Sequence, residues 1–477
     1  RIEEIRRTVT DEKKRKELIL DELRKAVASG GLILLGMAGG SGGKKGKKPK
    51  QSSRTQYIEH HNHLNGILSS NDLIRLAYNN DYAQVLTDIR NSRFGTSPDV
   101  TNFYRTNNLL DPDGNIDLSS QSSENLERLA KELLSVNSQV NFNTGYLVRG
   151  VVINKIDPRE YLKTIFKDLK KQGIDYIEVQ SERLPGNLSY KDFQKIKKEF
   201  EQLENYQIKI GFLRNTSTQT LGRGPATTVN PGLRNIQNIE PGKDGVIGID
   251  FAGPEATFTP RGMEYFQEIY REMARKAEEA NKTMVIRVHV GEGNPATVSY
   301  NDKASTARNN VSLMIEAIET LRDNNQLSDK IILRLGHGTH ASGANLDKIR
   351  QLGIIVEANL TSNLKTGSVR NKNEMDQVLL RFLYHDVKLT INTDGGGMMT
   401  TTLPKEYKQA REILARFRNN EIGVTVDITD PNTGAVTQRT YFYRDLPKDK
   451  KANFKPSKLT EEAWKYRNQI TPTIPTN

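Results

Sequence analysis

Eight short apolar strands in strict alternation with longer amphipathic helices predict an α/β chain: a (β/α)8 TIM barrel with an inserted cap after strand 1 and a C-terminal hairpin. Three observations carry the prediction. The strands are near-continuous Val/Ile/Leu runs, as parallel strands buried on both faces require. A helical period separates most neighbouring strands. The length, 477 residues, accommodates one barrel with insertions. An open doubly wound sheet is the alternative, but eight units without a glycine-rich first turn argue against it.

The strands fall at 55–63, 175–180, 207–213, 245–251, 284–290, 331–336, 353–359 and 388–393. Helices over 159–172 and 190–204 precede strands 2 and 3, and 260–281 and 308–325 precede strands 5 and 6. Helices over 345–352 and 373–385 precede strands 7 and 8. Residues 66–150 are too long for a simple crossover. They hold helical pieces at 71–90 and 122–135 around a polar stretch at 96–121, and read as a cap beside the barrel mouth. Residues 421–444 alternate apolar and polar about an Asp-Pro-Asn-Thr-Gly turn, the mark of a hairpin. A last helix near 459–469 is expected to close the barrel from outside.

The front end differs. Residues 1–50 carry 14 Lys/Arg and 7 Asp/Glu, a net +7 out of +12 for the chain, leaving +5 for the other 427 residues. They read as a basic helix (1–28) followed by a Gly/Lys-rich linker, set apart from a barrel domain at 51–477. The barrel's balance is too even to imply nucleic-acid binding. No apolar run approaches the length of a membrane span, and Gly31–Met37 is too short and too far in for a signal peptide. The absence of cysteine removes disulfide scaffolds, thiol nucleophiles, Cys-ligated zinc and the CxxC base-flipping deaminases. It leaves the compartment open: cytoplasmic, or a delivered or secreted effector. The start at Arg1 rather than Met, with the tether, suggests the C-terminal part of a longer chain. A toxin or effector domain, with an immunity protein as partner, is one reading of that front end.

The histidines are few and fall in telling places. Of seven, His61 and His63 end strand 1, His289 ends strand 5 and His337 follows strand 6; Asp394 follows strand 8. Strand C-terminal ends converge on one barrel mouth, where barrel enzymes keep their chemistry. Three imidazoles and a carboxylate there would suit one zinc ion with room for water. Glu292 overhangs the same mouth. Alternation along strand 1 places His60 on the face opposite His61 and His63. His340 and His385 sit at helix boundaries and, with His60, read as structural.

These residues resemble the adenosine deaminase family of metal-dependent hydrolases. The similar segments, in the family's order, are HNHLNG (61–66), GIDFAGPE (248–255), VHVGEG (288–293), RLGHG (334–338), EANLTSNLKTGSV (357–369) and TINTDGGG (390–397). The resemblance covers about residues 55–415, plus the closing helix. The resemblance implies hydrolytic deamination of adenosine or a related purine nucleoside or nucleotide, with release of ammonia. It implies zinc on His61, His63, His289 and Asp394. Glu292 would protonate the ring nitrogen beside the attacked carbon, and His337 would orient the nucleophile and move its proton. Asn65, Gly253 and Gly395 would face the substrate.

Three positions depart from the family: Gly395 for its second Asp, Asn65 for the Asp of HLDG, and Pro254 for an acidic residue. Each removes negative charge at the mouth. With Arg223, Arg370 and Lys372 in mouth-side loops, this leaves nucleoside and nucleotide both open. Another mononuclear-zinc amidohydrolase reaction and a non-catalytic binding module are the competing readings. Strand 4 offers no Lys for a two-metal site, and the retained Glu292 and His337 go beyond what metal binding alone needs.

Overall fold

The computed structural model describes residues 56–181, 183–222, 230–293, 300–429, 433 and 435–474. The chain divides into two compact units, Arg1–Arg54 and Thr55–Asn477, and all described residues belong to the second. The basic helix and linker read over 1–50, and Arg223, lie outside the described residues.

Strand β1 (Tyr57–His63) is followed by five helices, α1 (Ser70–Tyr78), α2 (Tyr82–Asn91), α3 (Pro98–Thr106), α4 (Ser123–Leu133) and α5 (Phe142–Ile153). Then come α6 (Pro158–Gln172), β2 (Ile174–Gln180), α7 (Tyr190–Glu204), β3 (Lys209–Ser217), α8 (Pro231–Ile236) and β4 (Val246–Ala252). The chain continues through α9 (Pro260–Glu279), β5 (Met284–Val290), α10 (Tyr300–Asp323), β6 (Ile331–His337) and α11 (Gly343–Gln351). Next are β7 (Ile355–Ala358), α12 (Leu360–Lys365), α13 (Lys372–Tyr384), β8 (Lys388–Ile391) and α14 (Leu403–Arg418). The hairpin β9 (Val424–Thr429) and β10 (Val436–Tyr441), then α15 (Lys448–Ala452) and α16 (Lys458–Ile470), complete the unit.

Strands β1 to β8 form one parallel sheet in sequence order. It closes on itself just past β8: Asp394 N–H donates to His61 O (3.1 Å) and His63 N–H to Asp394 O (3.2 Å). The predicted (β/α)8 barrel is therefore present, and its seam runs through two of the candidate site residues.

Where the elements differ from the sequence reading, the cause is local. The piece read at 71–90 is two helices, because Asn79 and Asn80 take left-handed φ of 48° and 68° and Asp81 caps a new helix through Gln84 N–H. The polar stretch at 96–121 contains α3, with Pro98 in its first turn, burying Val100, Phe103 and Tyr104. Helix α5 carries Gly145, Gly150 and β-branched residues, a poor helical composition; packing rather than propensity makes it a helix. Helix α14, capped by Thr402, supplies the outer helix after β8.

Helix α16 closes the barrel from outside as expected, and does so at the end opposite the mouth. Its Ala463 and Ile470, with Ile474, pack on Ile58, Tyr176, Leu213, Ile247 and Val285, and Arg467 pairs with Asp175 (2.8 Å) just inside the start of β2. One expectation fails: His60 does not face away from His61. The register of β1 shifts between Glu59 and Asn62, a bulge-like irregularity. Glu59 and Asn62 bond Thr393, while His60 and His61 enter one buried network through Glu178, Arg334 and Glu357.

Candidate functional site

Below the mouth lies a layer of buried charge. Arg334 Nη1 donates to Glu178 Oε2 (2.6 Å) and to Glu357 Oε1 (3.2 Å), and Arg287 Nη2 to Asp250 Oδ2 (2.5 Å). All five side chains are essentially inaccessible to solvent. Burial alone would push the Glu178 carboxyl up, but Arg334 and His60 hold it down at about 2. Asp250 is held well below the carboxylate range against burial by Arg287 and His289.

This layer aims the imidazoles above it. His61 Nδ1 donates to Glu357 Oε2 (2.7 Å), His63 Nδ1 to Gln180 Oε1 (3.0 Å), and His289 Nδ1 to Asp250 Oδ1 (3.0 Å). His337 Nδ1 donates to Asn363 Oδ1 (2.7 Å). Each acceptor fixes the proton on Nδ1 and leaves the Nε2 lone pair free. Those lone pairs converge. His61 Nε2 and His63 Nε2 lie 3.1 and 3.2 Å from Asp394 Oδ1, and His63 Nε2 lies 3.3 Å from His289 Nε2.

His61 Nε2, His337 Nε2 and Asp394 Oδ1 are buried without an aligned hydrogen-bond partner. Lone pairs left facing one another in a dry site are costly unless a cation sits among them. The donor set therefore fits a metal ion. Ligand atoms of His61, His289, His337 and Asp394 all lie within 4.8 Å of one another, and those of His63, Asp250 and His289 form an overlapping set. Both Asp250 oxygens are already taken by Arg287 and His289, which makes it a support for His289 rather than a ligand.

Electrostatics match. Burial, opposed by Asp250, pulls His289 down to about 4, so its ring is neutral. Burial raises the Asp394 carboxyl, but His61, His63 and His337 close by hold it well below the usual range. Glu292 Oε2 stands 3.5 Å from His337 Nε2. Burial pushes the Glu292 carboxyl up to about 7, and His337, despite burial, is raised by Glu292 and Asp394. His337 and Asp394 both take left-handed backbone, φ 71° and 66°, at the strand ends where their side chains turn inward.

A cavity of about 30 Å³ opens on this cluster, lined by His63, Gly253, His289, Glu292, His337 and Asp394 together with Phe142, Asn143, Pro254, Glu255 and Gly293. Six of the expected site residues thus share one cavity, with His61 directly beneath. Asn65 and Gly395 are not among its lining. Asn65 O accepts from Arg149 Nε (2.7 Å). Gly395 lies on the backbone of Gly66: a Cβ there would sit 3.3 Å from Gly66 Cα, so a larger residue would crowd the turn after β1. Of the mouth-side cations, Arg370 pairs with Glu374 and neither it nor Lys372 lines the cavity.

Several site residues were not singled out in the sequence. Glu255 accepts from Gly291 N–H (3.0 Å), Gly293 N–H (2.6 Å) and Asn310 Nδ2 (2.9 Å), and so fixes the loop carrying Glu292. Gly291 has φ +79°, and a Cβ would meet Val311 Cγ2 at 2.9 Å. Phe142 stacks on Tyr146 and meets His63 edge-on at 5.4 Å, bringing α5 over the mouth. Gln180, Asp250, Glu357 and Asn363 orient the histidines. For Gln180, Asp250 and Glu357, a position toward the C-terminal ends of strands was the available signal; Asn363 lies in α12, and nothing in the sequence distinguished it or Phe142.

Residues 316–425 match a family model described as adenosine deaminase. An adenosine deaminase-like protein of Drosophila melanogaster is 35% identical over 94 residues, 20% of this chain and 27% of that protein. Adenosine deaminase of Erwinia tasmaniensis is 29% identical over 180 residues, 37% of this chain and 44% of that protein. The matches thus span about a quarter to less than half of those relatives. Among solved structures, the arabidopsis N6-mAMP deaminase aligns over 76% of this chain and 88% of its own, with TM-score 0.43 and 16% identity. Adenine deaminase from Arthrobacter aurescens aligns over 86% and 98%, with TM-score 0.45 and 12% identity.

Proposed function

From the chain's resemblance to adenosine deaminases, we propose that it is a zinc-dependent aminohydrolase that deaminates a purine nucleoside or nucleotide and releases ammonia. The observation that carries the reading is the convergence of unpartnered buried lone pairs from His61, His337 and Asp394 beside a carboxyl poised to be protonated at neutral pH. His61, His63, His289 and Asp394 would hold the metal. When bound, zinc supplies the charge that makes water a nucleophile near neutral pH.

The chain's own groups supply the rest. Glu292, in its acid form, can give a proton to the ring nitrogen beside the attacked carbon, without which an aromatic amidine carbon is a poor electrophile. His337, its Nδ1 anchored on Asn363, presents a free Nε2 that can take a proton from the attacking water and pass it to the departing amine. Gly253, φ +107° with only Thr218 Oγ1 near its Cβ position, leaves room for a base to reach the backbone. Phe142 offers a flat apolar wall. As it stands the cavity holds roughly one or two waters. A purine is larger than this space, so its binding requires the cavity to widen.

The test is ammonia release from adenosine, AMP and their deoxy forms by zinc-loaded protein, with metal content measured in parallel. Glu292→Gln is expected to keep zinc and lose about 10²-fold or more in kcat. His337→Ala should also keep zinc, whereas His63→Ala should lose zinc and activity together. Full turnover in Glu292→Gln, or zinc lost from His337→Ala but kept by His63→Ala, contradicts the assignment.

A further inference from the structure

A second cavity, of about 520 Å³, adjoins the first between α10, the turn after β6, α13 and the hairpin. Tyr300, Arg308, Thr339, His340, Arg370 and Arg381 are on its walls. His340, on its wall, donates its N–H to Gly291 O (3.1 Å), beside Glu292 of the first cavity. The second cavity's volume lies within the range of small-molecule sites.

Its charge is unbalanced. The one carboxylate in the lining, Glu374, is already taken: Arg370 Nε donates to Oε1 (2.5 Å), and Arg370 N–H and Tyr300 O–H reach Oε2 (2.8 and 3.0 Å). Among the described residues, neither Arg308 nor Arg381 has a carboxylate within ion-pair distance. Asp427 is near enough to favour the Arg381 charge, but it also accepts from Gln438 Nε2 (3.3 Å). Arg381 Nη2 donates to Thr339 O (3.1 Å), while Arg381 Nε and Thr339 Oγ1 are buried with no hydrogen-bond partner. Burial and then Arg381 and Arg308 pull the His340 imidazole down to about 4, as a net positive field would. Half-buried Arg381, without a carboxylate in ion-pair distance, suits a phosphoryl group, which offers paired, charge-assisted hydrogen bonds.

We propose that this cavity is a binding site for a phosphorylated small molecule, with its phosphoryl group on Arg381 and Arg308 and the Thr339 hydroxyl as a further contact. The proposal stands apart from the deaminase reading, since none of these groups belongs to the histidine cluster. Titration of inorganic pyrophosphate into the full chain, followed by calorimetry, tests it. Saturable binding is expected, weakened at least tenfold in Arg308→Glu and in Arg381→Gln. Arg308 is exposed, so its replacement leaves the fold intact even if Arg381→Gln does not fold. Binding should survive chelator treatment, which separates it from anion capture at the histidines. Lys408→Glu, on the distant exposed face of α14, should bind as wild type. No saturation at millimolar pyrophosphate overturns the proposal. So does affinity unchanged by Arg308→Glu, abolished by chelator, or equally reduced by Lys408→Glu.

Discussion

At the scale of single residues, the site depends as much on what stands behind each histidine as on the histidine itself. His63 shows this cleanly. Its Nδ1 rests on one neutral acceptor, Gln180 Oε1, with no charge to be stranded if that acceptor goes. Gln180→Met should lower zinc affinity about tenfold, the usual cost of losing such a support, with little change in melting temperature. Competition against a chromogenic chelator measures it, and an unchanged affinity would show that the ring is oriented by Phe142 and its neighbours instead. The histidines and Asp394 were legible because HxH spacing and strand-end position are local facts. Their supports were not, because a Gln or Glu ending a strand carries no mark of which imidazole it will meet 117 or 296 positions away.

At the scale of elements, one buried side chain ties the cap helices to each other and to the turn after β1. Arg149 on α5, fully buried, donates to Asn65 O and Leu134 O (2.7 Å each) and to Leu68 O. Burial pulls its guanidinium down to about 10, and Tyr161, which bonds Leu64 O (3.0 Å), lies beside it. Arg149→Met would leave three carbonyls unanswered, a loss of about 2–4 kcal/mol. Since α5 also brings Phe142 to the mouth, the same change should raise KM for the purine while the bound zinc stays. Denaturant melts and steady-state kinetics check the two halves separately. The strand–helix alternation was readable from period alone. Helix α5 was not: its glycines and β-branched residues argue against a helix, and burial of Thr144, Gly145, Val148, Arg149, Val152 and Ile153 overrides them.

At the scale of the whole molecule, a layer of buried ions lies between the apolar plug of α16 and the histidine–aspartate cluster, and its carboxylates make stability depend on acid pH. Glu178 is held at about 2 against an ordinary 4.5. A folded-state value below the unfolded one adds stability above about pH 4.5, and that stability drains away as the pH falls toward 2. Asp250 and Glu357 are lowered in the same sense. Buried Glu59 and Glu406 are raised and act oppositely, favouring the folded state at low pH. The melting-temperature gap between wild type and Glu178→Gln should therefore narrow as the pH drops from 5 to 3. A constant gap would mean that Glu178 contributes shape rather than charge. The sequence by itself determined the number of strands, their order and the residues at their C-terminal ends, because period and residue type act over a few positions. Tertiary structure alone decided that the bulge in β1 turns His60 inward, that the seam at Asp394 closes the barrel, and that α16 plugs the far end. Each of these depends on contacts between chain segments hundreds of residues apart, which no local pattern encodes.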